Sequence, residues 1–329
     1  MPQIGSIAPI QTDRSSSGQL PCADPGTGPR ANVNAVDYIR RMRGGSQSRL
    51  VRCSDGVRYV VKLQNNPQGG RILANELLGT LLARKLVLPT PAPAVVNVSE
   101  EFIQNNSEMV FASVRGQRRM KSGLCFGSRY LILGTPKTLL EPALESGTDY
   151  LRANRAEEMG NIADIAGFLV FDKWTCNTDG RQTLVVKRYS RNRLKIVMID
   201  QGHCFNGAAW AFPDAPLYGV ALYNSVFERI PSFSSFELWL DRLEHLIDRF
   251  VLESTAARIP PEWYENDRDS LRQLLDRLEF RRKHVADLVW SAWRNARKDF
   301  PFLEIRRKRI ARVSRVDARQ LRFADFDRS

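Results

Sequence analysis

Residues 49–86 read RLVRCSDGVRYVVKLQNNPQGGRILANELLGTLLARKL, and the order of patterns within this stretch points to a fold. Two runs rich in β-branched and aromatic residues, Arg49 to Cys53 and 57–63, flank Ser54-Asp55-Gly56. Asp-Gly between such runs predicts a β-hairpin. A Gly/Pro/Asn loop, 64–70, follows. Apolar residues then recur every three to four positions (Ile72, Leu73, Leu77, Leu78, Leu81, Leu82, Leu86), predicting a helix with one buried face. Pro89 and Pro91 stop it.

Working outward, strand-like runs occur at 94–98, 109–113 and 129–133. Residues 1–30 are rich in Pro, Gly, Ser and Asp with few large apolar side chains, and read as a disordered or loosely attached arm. In the second half, Met159, Ile162, Ile165, Ala166, Leu169 and Val170 mark a buried helix running towards Trp174. Two short strands, 183–187 and 194–199, surround a polar turn, and 236–296 is helical except at Pro260-Pro261. The chain is thus β-rich with one prominent helix, then mostly helical with one small hairpin. No internal repeat of 20–50 residues is visible.

Composition narrows the class. A hydrophobic fraction of 43% and a charged fraction of 26% suit a packed soluble domain or two lobes sharing a cleft. No run of 18 apolar residues is present, so no membrane-spanning helix is expected. Residues 1–30 lack a charged start followed by an apolar run, and the expected location is the cytoplasm. Five scattered cysteines without a CxxC pair, and three dispersed histidines, argue against a disulfide framework or a His/Cys metal site. The net charge of +13 is concentrated in part between Ile305 and Arg322, where eight basic residues face one acid. This run reads either as a solvated basic tail or as a surface for nucleic acid or an acidic partner; no helix-turn-helix or aromatic RNA-binding pattern accompanies it.

Phosphoryl transfer requires a cover over the phosphates, a cation on them, a metal, and a group that orients the nucleophile. A residue is present for each. Lys62 ends the second strand inside an apolar run; alternation points it outward unless it reaches into a cleft. Glu76 lies among buried helix positions, awkward for a carboxylate without a cation, and pairing with Lys62 would remove both difficulties. Gly44, Gly45 and Ser46 form a loop able to turn N–H groups onto phosphate, or an ordinary turn. In FDKWTCNTDGRQ (171–182), Asp179 could orient a substrate hydroxyl, while Asn177 and Gln182 offer neutral oxygens for a hydrated Mg²⁺. A plain helix-end turn has the same composition. Asp200 ends the apolar run Val197-Met198-Ile199, where it could bind Mg²⁺ or simply close a strand.

Residues 60–91 (VVKLQNNPQGGRILANELLGTLLARKLVLPTP), 171–182 (FDKWTCNTDGRQ) and 198–219 (MIDQGHCFNGAAWAFPDAPLYG) resemble the HipA-like kinase family, in its single-domain branch, from about Val33 to Phe300. The resemblance implies an α+β, two-lobed protein-kinase-like fold, with a β-rich N-lobe over 31–138, a helical C-lobe over 139–300 and a basic tail over 301–329. It implies binding of ATP and Mg²⁺ and transfer to a Ser/Thr hydroxyl, with a protein as the expected substrate. Lys62 would contact the ATP phosphates with Glu76 as its partner, Asp179 would be the catalytic aspartate, and Asp200 the metal-binding one. A separate antitoxin-like regulatory partner also fits the resemblance. One departure stands out: the metal-binding Asn usual five residues after the catalytic Asp is Leu184 here. Gln182 or Asn177 would substitute, or the protein binds nucleotide without efficient turnover. A small-molecule phosphotransferase on the same scaffold would need an acidic acceptor pocket, for which Asp214, Glu228 and Glu237 are dispersed candidates.

Overall fold

The computed structural model describes residues 30–114, 116–131, 145–146, 158–187, 194–212, 230 and 232–298. The arm through residue 29, the basic tail, Asp214, Glu228 and the expected boundary at 138 lie outside these residues.

Five strands close into a barrel in the order β1-β2-β3-β7-β4: β1 (Arg30–Arg41), β2 (Arg49–Cys53), β3 (Arg58–Lys62), β4 (Pro93–Val98) and β7 (Gly123–Arg129). All neighbours are antiparallel except β1 and β4, whose parallel pairing closes the barrel. The expected hairpin is β2–β3, with Leu50 opposite Val60 and Arg52 opposite Arg58. Tyr59, Val61 and Leu63 join Val51, Cys53, Ala94 and Val96 in the barrel core, so Lys62 points to the outside by alternation. Outside, at that position, lies a protein interface rather than water.

That interface is made by α1 (Ile72–Lys85). Every residue from Ile72 to Ala83 is buried, which corrects the single buried face read from periodicity. The helix is packed on one side against β4 and β7 and on others by segments from the second half, so polar Asn75, Glu76 and Thr80 are enclosed as fully as the leucines. A second correction concerns the strand placed at 129–133, which is β7, ending at Arg129. Two glycines in GLCFGSR hide its alternation, and the backbone at Gly127 lies close against Val96.

Between β4 and β7 lie the short helix α2 (Glu100–Asn105), capped by Ser99, and a hairpin of β5 (Val110–Ser113) and β6 (Gly116–Arg119). In the second half, β8 (Glu145–Ser146), β9 (Gln182–Lys187) and β10 (Leu194–Ile199) form a small antiparallel sheet. Helix α3 spans Asp164–Trp174, shorter at its start than expected. Met159 bridges to Leu194 instead, and the Asn161 side chain bonds both backbone groups of Ile196, holding 159–163 in turns. Helices α4 (Glu237–Leu246), α5 (Arg249–Ala256), α6 (Arg268–Arg282) and α7 (Val285–Lys298) complete the described helical part. Helix α3 is its centre. At Gly167 a Cβ would come within 2.5 Å of the Trp239 ring and 2.6 Å of Leu88, so only glycine permits this approach of α3 and α4. One continuous apolar core runs from α1 through α3 to α7.

Candidate active site

Three distant segments meet where the barrel abuts the helical half. The Lys62 ammonium bonds Glu76 of α1, and lies 2.8 Å from Asp200 Oδ1, beyond the end of β10. Glu76 Oε2 in turn accepts from the backbone N–H of Gln201 at 3.0 Å. Burial alone would depress the Lys62 ammonium, but Glu76 and Asp200 outweigh it and raise its pKa above the ordinary lysine value. Burial pushes the Glu76 carboxyl up to about 7, against the pull of Lys62. Burial acts the same way on Asp200, yet Lys62 overrides it and holds that carboxyl well below the usual carboxylate range. Lys62 and Asp200 therefore keep their charges at neutral pH.

Asp200 adopts φ +60°, in the left-handed region that costs a non-glycine residue energy. Phe205, Asn206 and Trp210 in the same loop, and Cys176 in the loop after α3, do likewise. The two loops are fastened together by backbone bonds from Phe205 N to Thr175 O (2.6 Å), Asn206 N to Cys176 O (3.1 Å) and Thr178 N to His203 O (3.1 Å). Close approach of α1 is also required: a Cβ on Gly79 would lie 2.8 Å from the Gln201 Cβ.

Asp179 is exposed at the loop's tip; its Oδ1 accepts from Gly180 N at 2.8 Å. Gln182 is also exposed, with its amide 3.5 Å from Asp179 Oδ2, and stands opposite Ile199 in the β9–β10 ladder, beside Asp200. Asn177 is turned inward, its amide nitrogen bonding Asp172 and its oxygen accepting from Asp179 N. Leu184 faces Val197 across the same ladder. Gly44, with φ +118°, and Gly45 lie between β1 and β2. The loop is bonded through Ser46 O to Asn66, and Gln68, beside Gly45, lies 3.3 Å from His203. Ser46 is itself buried.

Metal chemistry must be assembled from few protein groups. Among the described residues no group of three His, Cys, Asp or Glu side chains could hold an ion. Asp200 supplies one carboxylate, and a hard divalent cation such as Mg²⁺ commonly takes one or two carboxylates and completes its shell with water and nucleotide phosphates.

A family model described as HipA-like kinase matches residues 35–295. The chain belongs to the HipA-like kinase family. Comparison with curated proteins returns no match. Among solved structures, this HipA-like chain is similar to the proinflammatory kinase CtkA of Helicobacter pylori, at 11% identity over 80% of this chain and 99% of that one, with a TM-score of 0.45. It is also similar to a Golgi casein kinase, at 13% identity over 84% and 76% of the two chains and a TM-score of 0.42. A structure of such a kinase with Mn and ADP bound matches at 13% identity over 81% and 73%, with a TM-score of 0.40.

Two residues that organise this HipA-like site escape a reading of the sequence for chemistry. Arg181, fully buried, bonds both carboxylate oxygens of Asp172 on α3. It also reaches Ile199 O (2.8 Å), Asp200 O (3.2 Å) and Gln201 Oε1 (2.8 Å), clamping the end of β10 to the end of α3. Asn75 bonds the carbonyls of Gly202, Cys204 and Gly207 and accepts from the Trp210 indole at 2.7 Å, so Trp210 is core packing under the loop. An amide inside a leucine-rich helix was the available signal for Asn75. For Arg181 there was none, since an arginine in a polar turn looks solvated.

Proposed function

We propose that the chain is an ATP-dependent, two-lobed kinase that transfers the γ-phosphoryl group of ATP to a Ser/Thr hydroxyl of a protein, with Mg²⁺ at Asp200. The observation that carries this reading is Lys62 held between Glu76 and Asp200, three segments brought together at the junction of barrel and helices. Lys62 exchanges Asp200 for nucleotide phosphate oxygens while Glu76 keeps it aimed. The loop of Gly44, Gly45 and Ser46 covers the phosphates. Asp179, exposed and unburdened by an ion pair among the described residues, orients the acceptor hydroxyl and takes its proton. Mg²⁺ when bound neutralises charge on the transferring phosphates. Asp200 would hold it with Gln182, which is exposed and pairs in the ladder with Ile199, the residue before Asp200; Asn177 is already committed to Asp172 and the Asp179 backbone.

Leu184 supports a second reading, a nucleotide-binding protein with little turnover, because an apolar side chain supplies no metal ligand at that position. Incubation with labelled ATP and Mg²⁺, alone and with cell extract, separates the two. Label that disappears in Asp179→Ala and Asp200→Ala supports the kinase. Absence of label with a Lys62-dependent rise in Tm on adding ATP supports the second reading. Absence of both rejects nucleotide chemistry at this site.

A further inference from the structure

The barrel half carries a charge that the kinase reading leaves unused. From Arg30 to Leu131 the sequence has sixteen basic residues against six acidic ones. Of those acids, Glu76 is buried on Lys62 and Asp37 is paired with Arg52. Five of the cations, Arg41, Arg43, Arg118, Arg119 and Lys121, are exposed along one rim formed by the glycine loop and the β5–β6 hairpin.

The rim is built. Gln47, beside the glycines, bonds both backbone groups of Ala112 in β5, at 2.6 and 2.9 Å. Buried Arg49 bonds the carbonyls of Glu108 and Val110, fixing the start of the hairpin. Asn65, three residues after Lys62, bonds Arg119 O and Lys121 N at 2.9 Å each. The side chains of Arg41, Arg118 and Arg119 bond neutral oxygens (Gln47 Oε1, Asn65 O and Ile103 O), and among the described residues none of the five cations has an ion-pair partner. The Arg41, Arg118 and Arg119 side chains are thus held by neutral groups and carry no ion pair among the described residues, with Glu108 the exposed acid at the start of the hairpin. The hairpin borders both the glycine loop and the loop that follows Lys62, where an acceptor must approach the nucleotide.

We propose that this rim recognises an acidic segment of the acceptor polypeptide, a reading that rests on the protein-kinase function proposed above. A protein is favoured over a nucleic acid because no aromatic side chain is exposed among the described residues of the rim: Phe111 is buried beneath Arg118. Base stacking has no platform there, whereas carboxylates need only the cations.

The test uses the full chain and three fluorescent probes: a serine peptide flanked by glutamates, the same peptide with glutamines, and a single-stranded oligonucleotide. Binding is read by anisotropy for the wild type, Arg118→Gln/Lys121→Gln and Arg118→Glu/Lys121→Glu. The glutamine pair retains a donor for Asn65 O, and the Tm of each variant confirms that the hairpin has not been lost. The glutamate peptide is expected to bind at least tenfold more tightly than the glutamine peptide, and to weaken stepwise from wild type to neutral to reversed rim. Equal binding of the two peptides overturns the proposal, as does undiminished binding by the reversed rim, which would place recognition elsewhere. Preference for the oligonucleotide, lost on charge reversal, overturns it in favour of a nucleic-acid surface. Labelling with ATP on the same preparations reports on the kinase separately: label without peptide discrimination removes only the rim, and discrimination without label or ATP-induced Tm shift removes only the kinase.

Discussion

Replacing Arg181 by Met tests whether the clamp beneath the site is structural in the way its geometry requires. The substitution keeps an apolar stem of similar length and deletes the guanidinium. Asp172, only 1% exposed, then loses its cation and keeps just the Asn177 amide, while Gln201 Oε1 and the carbonyls of Ile199 and Asp200 lose a donor. Removing one partner of a buried ion pair costs about 3–5 kcal/mol, because the remaining charge is stranded in a low dielectric. For a chain of this size each kcal/mol lowers Tm by roughly 1.5–2 °C, so a fall of roughly 5–10 °C is expected. Thermal unfolding followed by circular dichroism measures it. The double variant Asp172→Leu/Arg181→Met removes the stranded charge and should recover at least half of the loss, leaving the cost of the unpaired carbonyls. A single variant that melts within about 2 °C of wild type would refute the clamp. A double variant less stable than the single one would show that the Asp172 charge is not the source of the cost.

Two further outcomes follow from the same packing. Glu76 has a folded-state pKa of about 7, above the ordinary glutamate value, so its stabilising contribution is present at low pH and is lost as pH rises through about 7. Between pH 6 and 8 the wild type should lose roughly 1 kcal/mol relative to Glu76→Gln, and parallel stability curves for the two proteins would contradict this. Gly167→Ala should destabilise by about 1–3 kcal/mol in urea unfolding, since the new Cβ meets the Trp239 ring, and a neutral result would mean that α3 and α4 separate without cost.

Much of the fold was legible because its signals are local. The β2–β3 hairpin announces itself by Asp-Gly between β-branched runs, and α1, β9 and β10 by periodicity or apolar content. Barrel closure was not legible, since pairing β1 with β4 joins segments some sixty residues apart with no local mark. For Lys62, outward and cleft-facing are the same direction: alternation sends it out of the barrel, and α1 makes that outside an interior. Glu76 was recognisable from the cost of burying a carboxylate without a cation. Gln182 and Asn177 could not be separated by composition, because the distinction is which side of a turn each faces.

The enclosure of α1 from Ile72 to Ala83 also bears on how the chain is made. On the ribosome, the barrel cannot close until β7 has emerged, and at that moment α1 has a sheet on one side only. Its remaining leucines wait for Trp210, Leu252 and Trp263, more than a hundred residues downstream. A nascent chain stopped near residue 131 would therefore present a sticky apolar helix, and the two halves must mature as one cooperative unit rather than in succession. Any truncation that separates them should yield aggregates, not a working half.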